Sequence, residues 1–137
     1  MSVIMGSSPI GGDAYQAGTC NIGPAETARR RRAGHAGLIA CVVLLGLLVA
    51  VGAPHWTRLA LVLTAGGSAS GYLQASLHFC AGFGSRGVYN FGPLGTVVSV
   101  DDPGARARDR LKSLEIGLAS LAVGLVVGIA AVLLPIG

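Results

Sequence analysis

Three long apolar runs divide the chain. Ala36–Ala53 carries no charge, Leu59–Phe79 carries no Asp, Glu, Lys or Arg and one histidine, His78, and Ile116–Leu134 carries no charge. Each run is long enough to cross a hydrocarbon core of about 30 Å, which takes roughly 17 to 25 helical residues. The pattern predicts an all-α membrane protein with three transmembrane helices, over about residues 36–53, 58–79 and 114–134.

The polar positions punctuate these runs. Gly23, Pro24 and Glu26 predict a helix start, because Pro fits the first helical turn and a carboxylate there complements the helix dipole. That helix runs through Arg29 to Arg32 before entering the first span. Gly52, Ala53 and Pro54 end the span, and the link from His55 to Arg58 is short enough to dictate an antiparallel hairpin. Trp56 then fits the interface and Thr57 an N-cap.

Within the second run Ser70, Gln74 and His78 recur every four residues, a stripe that faces another helix and not lipid. Residues 81–112 read as a Gly-rich cytoplasmic loop, where Thr96–Val100 has strand character but no partner strand. Asp102 and Pro103 repeat the helix-start signal. Asp102 with Arg106, and Asp109 with Lys112, are spaced to pair along the third helix, which ends near Pro135. The spans show no internal repeat. Residues 1–20 lack the basic and apolar regions of a cleaved leader and read as a disordered tail ahead of one three-helix domain, 21–137.

Charge fixes the expected orientation. A net charge of +4 raises nucleic acid as a partner, but nine of the ten Lys and Arg residues would lie on one side of the bilayer. Arg29, Arg30, Arg31 and Arg32 precede the first span and suit anionic lipid headgroups. Arg86, Arg106, Arg108, Arg110 and Lys112 lie between the second and third spans, and only Arg58 falls on the other side. The distribution places the N-terminus in the cytoplasm and the C-terminus outside, in a multi-pass protein of the inner (cytoplasmic) membrane, and sets nucleic acid aside. With 52% hydrophobic and 12% charged residues, the chain has too few charges to solvate a globule of its size.

Candidate chemistry is sparse. Gly67 and Gly71, and Gly124 and Gly128, are spaced to let helix backbones approach, within the chain or against another subunit. Glu115 borders the third span, and His35 and His78 are expected at a similar depth. Together they could relay protons or hold a haem. Cys20, His35, His78 and Cys80 lack the spacing of a metal site, and no metal is expected. Cys20 and Cys80 face a reducing compartment and Cys41 lies in a span, so no structural disulfide is expected. There is no phosphate-cradling Gly-Lys-Ser loop, GxSxG elbow or HExxH helix, and no catalytic residue is assigned.

The entry Cys20, Asn21, Ile22, Gly23, followed by an arginine-rich helix and a hairpin of two spans closing on Phe79 and Cys80, resembles the small transmembrane domain attached to rhodanese in YgaP-like inner-membrane proteins. The likeness covers roughly residues 20–92, somewhat over half of the chain. It implies the hairpin and makes Cys20 and Cys80 thiol candidates. The third span, the long loop and the missing rhodanese sequence depart from that pattern, so no sulfur-transfer role is carried over.

The expectation is a non-enzymatic accessory or scaffold subunit of a larger membrane assembly, without a cofactor, whose partners are lipid and other membrane subunits. The alternative is a redox or proton-handling component, haem- or thiol-based, built on Cys20, His35, Gln74, His78, Cys80 and Glu115.

Overall fold

The computed structural model describes residues 15–136 and is mostly helical. Helix α1 (Pro24–Ala50) leads to a 3-10 turn (His55–Ala60) and helix α2 (Leu61–Leu77). A short helix α3 (Ala81–Arg86), strands β1 (Val88–Tyr89) and β2 (Val98–Ser99), and the long helix α4 (Pro103–Leu133) complete the order.

Local chemistry sets the helix boundaries. Pro24 opens α1 after an extended Gly23, with Glu26 in the first turn. Asp102 caps α4, its carboxylate accepting from the Ala105 N–H at 2.8 Å. α1 passes through its four arginines, Gly34 and Gly37 as one element. α2 stops at Leu77 because His78 adopts a left-handed conformation, φ 54°.

α2 lies between its two long neighbours and runs antiparallel to both. Its Ser68 and Gly71 meet α1 at Gly37 and Gly34, whereas Val62 and Gly66 meet α4 at Gly124 and Ser120. A Cβ on Gly71 would stand 2.5 Å from the Gly34 nitrogen, and one on Gly124 2.5 Å from the Val62 carbonyl oxygen. The backbones therefore touch directly. The Ser68 hydroxyl adds a hydrogen bond of 2.7 Å to the Gly34 carbonyl across the α1–α2 seam.

Two of the helices, α1 and α4, are long and apolar enough to cross a membrane. The run expected as a continuous span over 58–79 is instead broken in character. Residues 55–60 wind as 3-10 helix and α2 covers 17 residues. Thr57 bonds back to the Pro54 carbonyl and does not cap α2.

Several loop expectations change as well. Tyr15–Cys20, read as part of a disordered tail, forms a turn held to α4: the Tyr15 hydroxyl and the Gly18 N–H both donate to Asp109, at 2.5 and 2.7 Å. The remaining tail, 1–14, lies outside the described residues. Asp109 is fully buried by this turn and does not pair with Lys112, which instead lies 3.9 Å from Glu115. The 81–112 stretch contains α3, a two-stranded antiparallel ribbon and the first turns of α4, and the strand within Thr96–Val100 does have a partner in Val88–Tyr89. Two-residue strands carry too little alternation to reveal such pairing.

Arg58 accounts for the one cation apart from the rest. It is 1% exposed, and its guanidinium donates to the carbonyls of Ala131 (3.0 Å), Leu134 (3.1 Å) and Ile136. Those carbonyls lie in and just beyond the last turn of α4, where backbone donors run out: Ala131 keeps only a 3.3 Å bond from the Leu134 N–H.

Candidate functional site: a buried polar layer below the helices

Among the described residues, three of the most buried polar side chains, Asn21, Glu26 and Asn90, gather where the start of α1, the end of α2 and the segment 87–92 converge. Asn21 and Asn90 are both 0% exposed. Each opens an Asn-x-Gly-Pro tetrad, Asn21-Ile22-Gly23-Pro24 and Asn90-Phe91-Gly92-Pro93. The two copies lie side by side in a parallel bridge, the Asn90 N–H donating to the Asn21 carbonyl and the Gly23 N–H to the Asn90 carbonyl, both at 2.9 Å. Gly23 is needed for this approach, because a Cβ there would lie 2.9 Å from the Phe91 Cα and carbonyl oxygen.

The two amides have separate tasks. Asn21 grips the Cys80 backbone from both sides: its Oδ1 accepts from the Cys80 N–H at 2.6 Å and its Nδ2 donates to the Cys80 carbonyl at 3.1 Å. Asn90 folds the ribbon loop, accepting from the Gly92 N–H and the Thr96 hydroxyl and donating to the Pro93 carbonyl. Its Nδ2 also donates to Glu26 at 3.1 Å. Glu26, 1% exposed, lies 3.5 Å from Arg30, and Arg30 donates to the Cys80 Sγ at 2.8 Å while covering the Phe83 ring. The chain of contacts closes through Asn21, Cys80, Arg30, Glu26 and Asn90. Ile22, Phe83 and Cys80 pack as the apolar floor of this layer.

The candidates read from sequence are distributed over several places. Cys80 is within the layer but 3% exposed, so a reaction at its sulfur requires the layer to open. Cys20 is half-buried outside it, and burial pushes its thiol above the usual cysteine range, which disfavours the thiolate. All three cysteines are free. Gln74 bridges α2 to α3, donating to Ser70 and accepting from the Ala81 N–H at 2.9 Å.

His35 shares a hydrogen bond of 2.6 Å with the Tyr72 hydroxyl, His78 lines a cavity of about 470 Å³ beside Thr27 and Arg31, and Glu115 is with Lys112. These three are thus given different neighbours. Among the described residues, no group of three His, Cys, Asp or Glu side chains is placed to hold a metal. Arg29 and Arg30 lie toward Glu26, while Arg31 and Arg32 are exposed. Of the four packing glycines, Gly71 and Gly124 meet backbone and Gly128 meets Val62, whereas Gly67 faces open space.

Sequence reasoning gave no site role to Asn21, Asn90, Glu26, Gly34, Gly37 or Arg58, and it placed Arg30 at lipid headgroups, whereas the structure turns it inward to Glu26 and Cys80. The repeated Asn-x-Gly-Pro was the available signal for the two asparagines. Comparison of the chain with protein-family models, curated proteins and solved structures finds no match.

Proposed function

We propose that the chain is a small integral membrane protein that acts as a non-catalytic accessory or scaffold subunit in the cytoplasmic membrane. The observation that carries this reading is the bareness of its apolar helices. Only 6% of the most apolar stretch of α1 and 28% of that of α4 are buried within the chain. A soluble protein would cover such helices, whereas lipid and neighbouring subunits are the surroundings in which they can stay open.

α2 crosses as well on this reading. α1 and α4 point the same way, so a chain that crosses twice in one direction must return between them, and α2 lies antiparallel between the two. The cationic ends of α1 and α4 then share the cytoplasmic side with the buried polar layer, and Arg58 marks the outer side. The layer serves as a rigid base that fixes the helix ends, because the Asn21 and Asn90 amides are spent on the segments that it joins. The haem- or proton-based alternative gains no support from the separate settings of His35, His78 and Glu115.

Two measurements test the reading in turn. After an alkaline carbonate wash the protein is expected in the membrane pellet; release into the supernatant would remove the integral assignment. Gentle detergent purification with identification of cross-linked chains tests the subunit role. A protein that purifies alone, as a monomer, would sink it.

A further inference from the structure

A groove of about 690 Å³ runs along α4 beside α3. Its residues on α4 follow one helical stripe, with Ala107, Arg110 and Leu111 toward one end, Leu114 in the middle, and Gly117 and Leu118 at the other, while Ser85 of α3 also lines it. Eight residues separate Arg110 from Leu118, about 12 Å at 1.5 Å per residue. Leu111, Leu114 and Leu118 are 59%, 57% and 57% exposed, and a Cβ built on Gly117 meets nothing within 4 Å. The groove is therefore cationic at its mouth, apolar along its length and open at its floor.

We propose that this groove seats one anionic glycerophospholipid with hydroxyls on its headgroup, of the phosphatidylglycerol type. The inference rests on the membrane reading above. Arg110 forms no ion pair among the described residues, so its guanidinium is free to take a phosphate in bidentate fashion. The span of the stripe matches the descent from phosphate level into the acyl region. Ser85 chooses the headgroup. Ser85 already donates its proton to the Ala81 carbonyl, and Ser113, which also lines the groove, donates to that of Asp109, each at 2.9 Å. Ser113 is buried against Gly84, so it is the exposed Ser85 that presents only lone pairs, and the occupant must bring donors as well as negative charge. A zwitterionic lipid lacks the net charge, and phosphatidic acid lacks the headgroup hydroxyls.

Native mass spectrometry of the full chain released from detergent, titrated with phosphatidylglycerol or phosphatidylethanolamine, tests the seat. Wild type is expected to retain phosphatidylglycerol in preference. Arg110→Gln should weaken that retention about fivefold, the loss expected for one cation at an anionic lipid surface. Gly117→Leu, which fills the floor, should weaken it too, and Arg108→Gln should weaken it less than about twofold. Arg110 and Gly117 are exposed, so helix content by circular dichroism should match wild type in both variants. Equal losses in the Arg108 and Arg110 variants, no effect of Gly117→Leu, or equal retention of the two lipids would overturn the seat. A chain soluble without detergent would overturn the membrane reading itself, a result distinct from the other three.

Discussion

Gly67 and Gly71 stand one turn apart on α2 and share the same spacing signal, yet the structure gives them opposite roles. A methyl group added at Gly67 meets nothing within 4 Å, whereas at Gly71 it falls 2.5 Å from the Gly34 nitrogen and 2.7 Å from the Arg30 carbonyl oxygen. Both neighbours are backbone, so no side-chain rotation relieves the overlap. The two helices must separate by a substantial fraction of an ångström along a seam that also carries the Ser68 to Gly34 hydrogen bond.

Overpacking of this kind costs about 1 to 3 kcal/mol. Replacing a mid-helix glycine by alanine returns roughly 0.5 to 1 kcal/mol through backbone entropy at either position. Gly71→Ala is therefore expected to destabilise by about 1 to 2 kcal/mol and Gly67→Ala to be neutral or stabilising by up to about 1 kcal/mol. The gap of about 2 kcal/mol corresponds to roughly 30-fold in the unfolding equilibrium. Reversible unfolding in mixed micelles of mild and denaturing detergent, followed by far-UV circular dichroism, reads it directly. If Gly67→Ala destabilises as much as Gly71→Ala, the arrangement of α2 between its neighbours is wrong.

Three further perturbations probe the ends of the bundle. Arg58→Met removes the donors to three carbonyls at the end of α4; a loss of about 2 kcal/mol and faster hydrogen exchange over residues 130–134 are expected, and unchanged exchange would refute the capping role. Asn21→Ala strands the buried Cys80 N–H, while the Cys80 carbonyl keeps its bond from the Gly84 N–H, and should cost about 1 to 3 kcal/mol in the same micelle assay. Asn21→Asp should do at least as much harm, since a carboxylate oxygen would then face the Cys80 carbonyl, and a milder effect would contradict the assigned amide orientation. The Tyr15 phenol is raised well above its ordinary value by burial, then by its hydrogen bond to Asp109 and that residue's charge. A raised folded pKa means the protonated phenol is favoured by folding. Its contribution is full below the ordinary value of about 10 and is lost as the pH rises beyond it. Exchange of the Gly18 amide, corrected for its intrinsic base dependence, should show the turn opening above about pH 10 in wild type, whereas Tyr15→Phe should lack that step.

What the sequence could reveal depended on range. The starts of α1 and α4 follow from Pro24 and from Asp102 with Pro103, where the partners lie within one turn. Of the expected stripe Ser70, Gln74 and His78, the Ser70–Gln74 pair bonds locally within α2, but His78 lies past the end of the helix and is exposed, so the three do not share one helical face. Arg58 and Asn21 were not readable, since their acceptors lie 73 and 59 residues away and carry no local mark. Asp109 looked like a surface partner for Lys112 until the Tyr15–Cys20 turn covered it. Glycine spacing announced close packing on α2 but could not say which glycine faces a helix, since that depends on where α1 and α4 sit around it.

The proposed topology requires the chain to return through the bilayer along α2. In a background without native cysteines, single cysteines at Trp56 and at Leu94, both exposed, can be labelled in intact cells with a membrane-impermeant maleimide. Labelling of the Trp56→Cys protein in intact cells, with Leu94→Cys labelled only after permeabilisation, is the predicted result. Labelling of both from the same side would mean that α2 does not cross, and the topology would have to be abandoned.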